Sequence, residues 1–380
     1  MSSEKRERYQ FSVIRERMSQ HAGQVLNFAL GNLHQKLPEA LTQQVTNGAS
    51  EMMRRASLAE HHAFGEQASA YLSREFGVVV EPGQILPVPG GRAAMTAMTA
   101  CLLAPGDGVL VTEPGYPAFA QIAAHQHCRI QAAALDPTRD FLPDLSHLQS
   151  DEMAPVDLVS LNYPNNPTAA VLTPETITVL VERLGQRPIL FNDATYGPLV
   201  YGERPLSILD DSLEISEGQE VIELHSLAKL FPLGPVAIAF LIGSPGIIGK
   251  IRRYSDFAWA PLSTLQLQVA ASALGQEGYL EQVRDLYRER IDRLRTLLSD
   301  LGFVPYPAPS GMFVLTDAPA AVDGQVVESA QAAADILIDR FGIAVAAYDI
   351  APNGYLRFSS LYEKEDLLAL SELQGEISID

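Results

Sequence analysis

Cysteine is scarce in this sequence of 380 residues: Cys101 and Cys128 are its two, and no metal-ligand spacing relates them. They read as a pair of buried thiols rather than a disulfide framework, which sets the chain apart from small secreted scaffolds. Basic residues are also few. With 27 Lys and Arg against 46 Asp and Glu, the formal net charge is −19, which argues against nucleic acid or an anionic membrane as a partner but leaves room for a local basic pocket. No apolar run reaches membrane-spanning length, and residues 1–20 lack the apolar core of a signal peptide. A soluble cytoplasmic protein is expected. Repeats and low-complexity linkers are absent too. What is present is 47% hydrophobic content, ample for a buried core, in a chain long enough for two or three domains.

The segment Glu223-Leu-His-Ser-Leu-Ala-Lys229-Leu-Phe-Pro-Leu-Gly234 sets a lysine between two apolar stretches, residues 221–224 and 236–242, each predicted to be a buried strand. On this window alone Lys229 is either a loop lysine reaching solvent or an amine kept for chemistry. Desolvation lowers a lysine's pKa and leaves a nucleophile able to attack carbonyls. Other residues decide between the two.

Elsewhere strands and helices alternate in the manner of a mostly parallel α/β sheet with right-handed crossovers. Residues 84–89 form a predicted strand, after which Gly90 and Gly91 open a helix whose backbone N–H groups suit a phosphate. Strand 108–112 ends in Glu113-Pro-Gly-Tyr116-Pro117, a stiff turn that displays Tyr116 as either a ligand contact or a cap on the core. Strand 156–161 runs into Asn162-Tyr-Pro-Asn-Asn166-Pro-Thr-Ala169, where prolines restrict a turn that presents amide side chains. Strand 188–191 is followed by Asn192, Asp193 and Tyr196, and an aspartate at the end of a buried strand needs a partner or a function. In such a sheet Gly91, Tyr116, Asn166, Asp193 and Lys229 share one edge.

Toward the ends, residues 1–22, with Arg6, Arg8, Arg15 and Arg17, suit an amphipathic helix or arm, and His34 reads as a surface histidine. A helical pattern covers residues 37–76, broken at Gly65 after His61 and His62, whose adjacency makes a poor metal site. Beyond Ser263 a long helical stretch extends to Gly302. From residue 303 onward, short strands at 303–304, 311–315, 343–345 and 354–358 surround a helix at 327–341, giving a small α+β domain. Arg357 there faces away from Leu356 and Phe358.

Together these residues resemble the fold-type I, pyridoxal 5'-phosphate (PLP) dependent aminotransferases of the aspartate aminotransferase superfamily, class I/II. The resemblance spans residues 26–370, with family-like separations of 36 residues from Asp193 to Lys229 and 128 from Lys229 to Arg357. It implies an α/β fold with a large, mostly parallel sheet sandwiched by helices and a smaller α+β domain built from both termini. The division it implies is an arm and part of the small domain in 1–40, the PLP-binding domain in 41–285 and the C-terminal domain in 286–380. By the same resemblance Lys229 forms the Schiff base with PLP and moves the proton at the substrate Cα, while Asp193 pairs with the pyridine nitrogen. Tyr196 and Asn166 hold the ring phenolate oxygen, Tyr116 stacks on the ring, and Gly91, Arg92 and Ser226 cradle the phosphate. Arg357 grips the substrate carboxylate with help from Gly31 or Asn32. The implied reaction moves the amino group of an L-α-amino acid to a 2-oxo acid. A homodimer with shared active sites is implied, with residues 260–264 and the His61 region toward the partner, and no metal.

Three positions depart from that pattern. The arginine eight residues after the lysine, a phosphate ligand, is Ala237 here; the turn that ordinarily ends in glycine ends in Ala169; and the tyrosine that reaches the partner's phosphate is missing, with His61 or His62 as candidates to replace it. These departures keep a second reading open, a PLP enzyme of specialised metabolism that decarboxylates, eliminates or oxidises an amino acid. Lys229-Leu-Phe-Pro232 is similar to a segment of PLP-dependent arginine oxidases.

Overall fold

The computed structural model describes residues 10–146, 155–185, 187–213, 215, 218–350 and 354–379. In chain order its helices are α1 (Gln10–Gln20), α2 (Glu39–Asn47), α3 (Ala49–Met52), α4 (Leu58–Phe76), α5 (Gly91–Leu102), α6 (Ala118–His125), α7 (Pro174–Leu184), α8 (Pro245–Ala258), α9 (Thr264–Leu274), α10 (Tyr279–Asp300), α11 (Ala330–Phe341) and α12 (Lys364–Glu372). The strands that position the site are β1 (Leu26–Asn27), β2 (Ile85–Val88), β3 (Gly108–Glu113), β4 (Arg129–Asp136), β5 (Leu142–Pro143), β6 (Leu158–Leu161), β7 (Ile189–Asp193), β8 (Val221–Ser226) and β9 (Ala239–Gly243). Later in the chain come β10 (Phe313–Asp317), β11 (Ala321–Val322), β12 (Gln325–Val326), β13 (Ile343–Ala344), β14 (Ala346–Tyr348) and β15 (Tyr355–Ser359). The chain divides into two compact units, one of Gln35–Asn166 with Ala170–Arg284, the other of Met1–His34, Pro167–Ala169 and Asp285–Asp380.

The first unit is built on one sheet in the order β2-β9-β8-β7-β6-β3-β4-β5. Neighbours from β8 through β4 are parallel, and β9 runs antiparallel to both β8 and β2. So β2, β3, β6, β7 and β8 all point the same way and their C-terminal ends share an edge. β6 and β9 are buried along their whole length, and β7 and β8 everywhere but at their ends, as a sheet covered on both faces requires. On one face Met95 and Met98 of α5, Phe119 of α6 and Ile247, Ile248 and Ile251 of α8 pack with Val88, Val109, Leu158, Ile222, Leu224 and Leu241. On the other, α4 lays Phe64, Tyr71 and Phe76 against Phe240 and His225, all five rings meeting within 6.3 Å between centroids.

That second face carries a polar knot. Glu223 is wholly buried; its carboxylate accepts Ser207 Oγ at 2.8 Å and Ile208 N at 2.9 Å, and lies 2.7 Å from His225 Nε2. Alternation on β8 puts Glu223 and His225 on one face and Leu224 on the other.

The helical pattern over residues 37–76 does not break at Gly65. Gly65 lies buried inside α4, where a Cβ would come within 3.0 Å of Pro82 Cβ and 3.1 Å of Pro82 O, so the glycine is a notch for close approach rather than a stop. The interruption falls instead before Ser57, which opens α4 through a reciprocal cap with Glu60. The stretch beyond Ser263 is likewise two helices, α9 and α10, parted around Gly275 and Gly278. Residues 303–304 form no strand; Pro305 makes an isolated bridge to Thr316.

In the second unit β15 is central in an antiparallel sheet ordered β10-β15-β14, and β1 pairs in parallel with β13, so both chain ends contribute. The helix or arm expected over residues 1–22 is α1 from Gln10 onward; Arg6 and Arg8 lie outside the described residues. Ile14 and Met18 of α1 rest on a cluster of Ala29, Ile338 and Ala344. Ala169 has φ 61°, the left-handed conformation that favours the glycine it replaces, and its carbonyl accepts Ser310 Oγ at 2.6 Å.

Replacing Glu223 by alanine strips two donors and His225 of their buried acceptor. Unfolding in urea is expected to show a loss of about 3–5 kcal/mol with an unchanged m value.

Candidate active site

Asp193 closes β7, and its carboxyl is buried with the strand end. Oδ1 accepts Thr195 N at 3.1 Å and Thr195 Oγ1 at 2.5 Å. Burial pushes the Asp193 carboxyl above its ordinary pKa, while the bonds from Thr195 and the nearby basic side chains of His225 and Lys229 pull it down. A carboxyl so placed is poised to take a cationic partner.

Lys229 ends a single 3-10 turn, Leu227–Lys229, that begins where β8 stops. Ser226, the last residue of β8, starts that turn by accepting Ala228 N at its Oγ, 3.3 Å away. The connection is closed behind the lysine by Leu227 N donating to Ile238 O at 3.0 Å. Register on the sheet sets Asp193 opposite Leu224 and Ser226 opposite Ala239, so the aspartate and the lysine turn leave adjacent strands at the same edge.

The turn after β6 is fixed by an amide lattice. Asn166 N donates to Asn162 Oδ1 at 3.2 Å, and Asn162 Nδ2 donates to Asp193 O at 3.1 Å. Asn192 accepts Tyr163 N at 2.9 Å and donates to Tyr163 O at 3.0 Å. Asn165 Nδ2 reaches Pro114 O at 3.4 Å, tying this turn to the one that bears half-buried Tyr116. Asn166 and Tyr196 are both buried. Asn162, Asn165, Asn192 and Thr195 belong to no motif in the sequence; for Asn165 the asparagine pair between Pro164 and Pro167 is the available signal.

Gly90 takes φ 106° and precedes α5 with no side chain capping its first turn. Gly91 leaves room for Leu224, whose Cδ2 would sit 3.3 Å from a Cβ there. That glycine lets the helix start close against β8. Arg92 is exposed on the same turn.

The departures have structural counterparts. Ala237 caps a 3-10 turn, Gly234–Val236, and brings no charge to the β8–β9 connection. His61 is half-buried on α4; burial first, then the charge of Arg252, push its pKa below the usual histidine value, so at neutral pH it is an uncharged imidazole. It can offer a hydrogen bond but no positive charge. His62 is exposed, 3.6 Å from Glu66.

In the second unit Arg357 is buried at the middle of β15 between Leu315 and Ala346. Its Nη2 donates to Ala29 O at 2.6 Å, which brings the segment before Gly31 to the guanidinium. Gly31 itself has a packing reason: a Cβ would lie 2.3 Å from Leu361 O. Asn32 is exposed, and half-buried His34 has Nε2 3.1 Å from Leu361 O.

Known proteins are similar to this chain in sequence and fold. The chain is 28% identical over 367 residues to an L-glutamine--4-(methylsulfanyl)-2-oxobutanoate aminotransferase of Bacillus subtilis, covering 93% of this chain and 89% of that protein. It is 30% identical over 302 residues to an LL-diaminopimelate aminotransferase of Methanocaldococcus jannaschii, covering 78% and 71%. Its fold is that of N-succinyldiaminopimelate aminotransferase from Mycobacterium tuberculosis, with a TM-score of 0.85, 22% identity and 99% of each chain covered. These relatives favour amino-group transfer over the decarboxylation, elimination or oxidation that the departures had left open. A model of the aminotransferase class I and II family matches residues 23–370, and the chain belongs to that family.

Proposed function

We propose that Lys229 is the lysine through which this PLP-dependent aminotransferase works, with Asp193, Tyr196, Asn166, Tyr116, Ser226, Gly91 and Arg92 holding the cofactor and Arg357, aided by Gly31 or Asn32, holding the substrate carboxylate. The observation that carries the reading is the pairing of a buried carboxyl, Asp193, with the Lys229 turn on adjacent parallel strands. The residues fit the cofactor: the start of α5, uncapped by any side chain, suits a phosphate, and Asp193 suits a protonated ring nitrogen.

When bound, PLP supplies an electron sink conjugated to the substrate Cα. The chain's own residues do the remaining work. Asp193, ionised against a cationic ring nitrogen, keeps that nitrogen protonated. The Lys229 amine would take the proton from the substrate Cα and deliver it to the cofactor, and in the return half-reaction would carry a proton the opposite way. Arg357 fixes the α-carboxylate by its guanidinium edge and so decides which Cα bond is activated. With Ala237 in place of an arginine, the phosphate is held by backbone N–H groups of α5 and by Ser226, with Arg92 as the basic residue on that turn.

A division into an arm with part of the small domain (1–40), a cofactor domain (41–285) and a C-terminal domain (286–380) belongs to the same reading, as does a homodimer. Residues 54–56 pair with 262–264 through Ala56 N to Leu262 O and Thr264 N to Arg54 O, each bond about the length of a regular backbone hydrogen bond. Close to this pairing in the chain, Met53 and Leu58, each 88% exposed, and Phe257 at 77% offer apolar surface for a second copy. The free thiols of Cys101 and Cys128 suit the cytoplasm.

Titrating the purified protein with L-amino acids is expected to shift the absorption band of bound cofactor, and a 2-oxo acid to restore it. Lys229→Ala should abolish turnover; rates near wild type would sink the assignment. Arg357→Ala should weaken α-carboxylate binding by about 3–5 kcal/mol, read from equilibrium titration. Asp193 gives a pH test with a definite sign. Its folded pKa lies above the ordinary 3.8, so the penalty for its charge is absent in strong acid and grows as pH rises through the elevated value. Apoprotein carrying Asp193→Asn should therefore melt above wild type at neutral pH and level with it in acid, while losing affinity for PLP.

A further inference from the structure

The N-terminal helix α1 has one buried residue, Phe11, and that residue lies against Arg357. The guanidinium carbon is 4.8 Å from the centroid of Phe11 and 4.3 Å from that of Phe313, over the face of each ring. Both distances are inside the roughly 6 Å reach of a cation–π contact. We propose that Phe11 is a positioning residue for the substrate carboxylate: with Phe313 it fixes the plane of the Arg357 guanidinium, so that the carboxylate is met by the edge of the group.

The donors of a guanidinium all lie in its plane. One is committed to Ala29 O at 2.6 Å, which sets one in-plane direction. Two ring faces turned to the guanidinium exclude water on those sides, which lowers the local dielectric and strengthens its remaining hydrogen bonds. The two rings are held differently. Phe313 belongs to β10 and sits diagonal to Arg357 across the sheet, with Ser359 as its direct partner. Phe11 depends on the docking of α1, which is anchored by Gln10 Nε2 to Ala347 O at 2.5 Å, by Arg17 ion pairs with Asp335 and Asp339 on α11, and by Ile14 and Met18. Exposed ion pairs and one buried side chain place α1 among the elements that open most easily. Carboxylate binding and α1 docking therefore support each other, since a ligand held better under Phe11 also holds Phe11 in place.

This inference rests on Arg357 being the carboxylate ligand, and the experiment separates the two claims. Binding of 3-phenylpropionate to the full-length PLP-loaded enzyme is measured by calorimetry for wild type, Phe11→Leu, Phe11→Tyr and Arg357→Ala. Leucine keeps an apolar filler without a ring face, and tyrosine keeps the face. Phe11→Leu is expected to raise the Kd roughly threefold to thirtyfold, the range of a cation–π contact, with Phe11→Tyr within twofold of wild type. KM for the amino acid should rise by the same factor as Kd while kcat changes less. A Kd for Phe11→Leu within twofold of wild type, while Arg357→Ala binds poorly, overturns the role of Phe11 and leaves Arg357 standing. Unchanged binding in Arg357→Ala overturns the reading of Arg357, and this inference with it.

Discussion

A carboxyl buried at the end of a parallel strand is the constraint on which the larger unit depends. Asp193 receives two donors from Thr195, yet burial still disfavours its ionised form. A fold that keeps such a group has to bring a cation to it. The sheet does so by direction alone: β7 and β8 run parallel, so the Lys229 turn at the end of β8 emerges beside the end of β7. The amide lattice from Asn162 to Asn192 then stiffens the neighbouring turns with hydrogen bonds that no solvent exchange loosens, because every member is buried. The geometry of the proposed site is a by-product of strand polarity supplemented by a few side-chain bonds.

Much of this could be read in the sequence, and the physical reason differs between elements. β6, β7 and β9 are buried on both faces, so their apolar runs stood out, and the polar residues after β6 and β7 marked the sheet edge. Gly65 misled because a glycine in a helical pattern has two causes, a stop or a close neighbour; Pro82, seventeen positions away in the chain, was the cause. The separation of α9 from α10 was hidden by an apolar spacing that continues through Gly275 and Gly278. Phe11 was invisible for another reason: its partner lies more than three hundred residues along, and nothing local in an arginine-rich helix singles out one phenylalanine.

The phosphate end of the proposed site is poor in fixed positive charge. Ala237 brings no cation to the β8–β9 connection. In the proposed site the start of α5 would act mainly through oriented backbone dipoles, which carry no counter-ion, do not titrate and are little affected by the acidity of the rest of the chain.

The reversed strand β9 has a consequence for how this enzyme can change. Because β9 returns directly beside β8, the segment bearing Lys229 is a closed hairpin connection, pinned at its root by Leu227 and Ile238, and not part of a crossover. Crossovers are locked in handedness and length by the helices that they must pack. A pinned hairpin is set by its two strands at the root, but its interior is anchored as well: Leu230, Phe231 and Leu233 are buried, and Leu230 O accepts Gln35 Nε2 at 2.8 Å, so variation that leaves the strand register intact is confined to the exposed tip at Gly234 and Pro235.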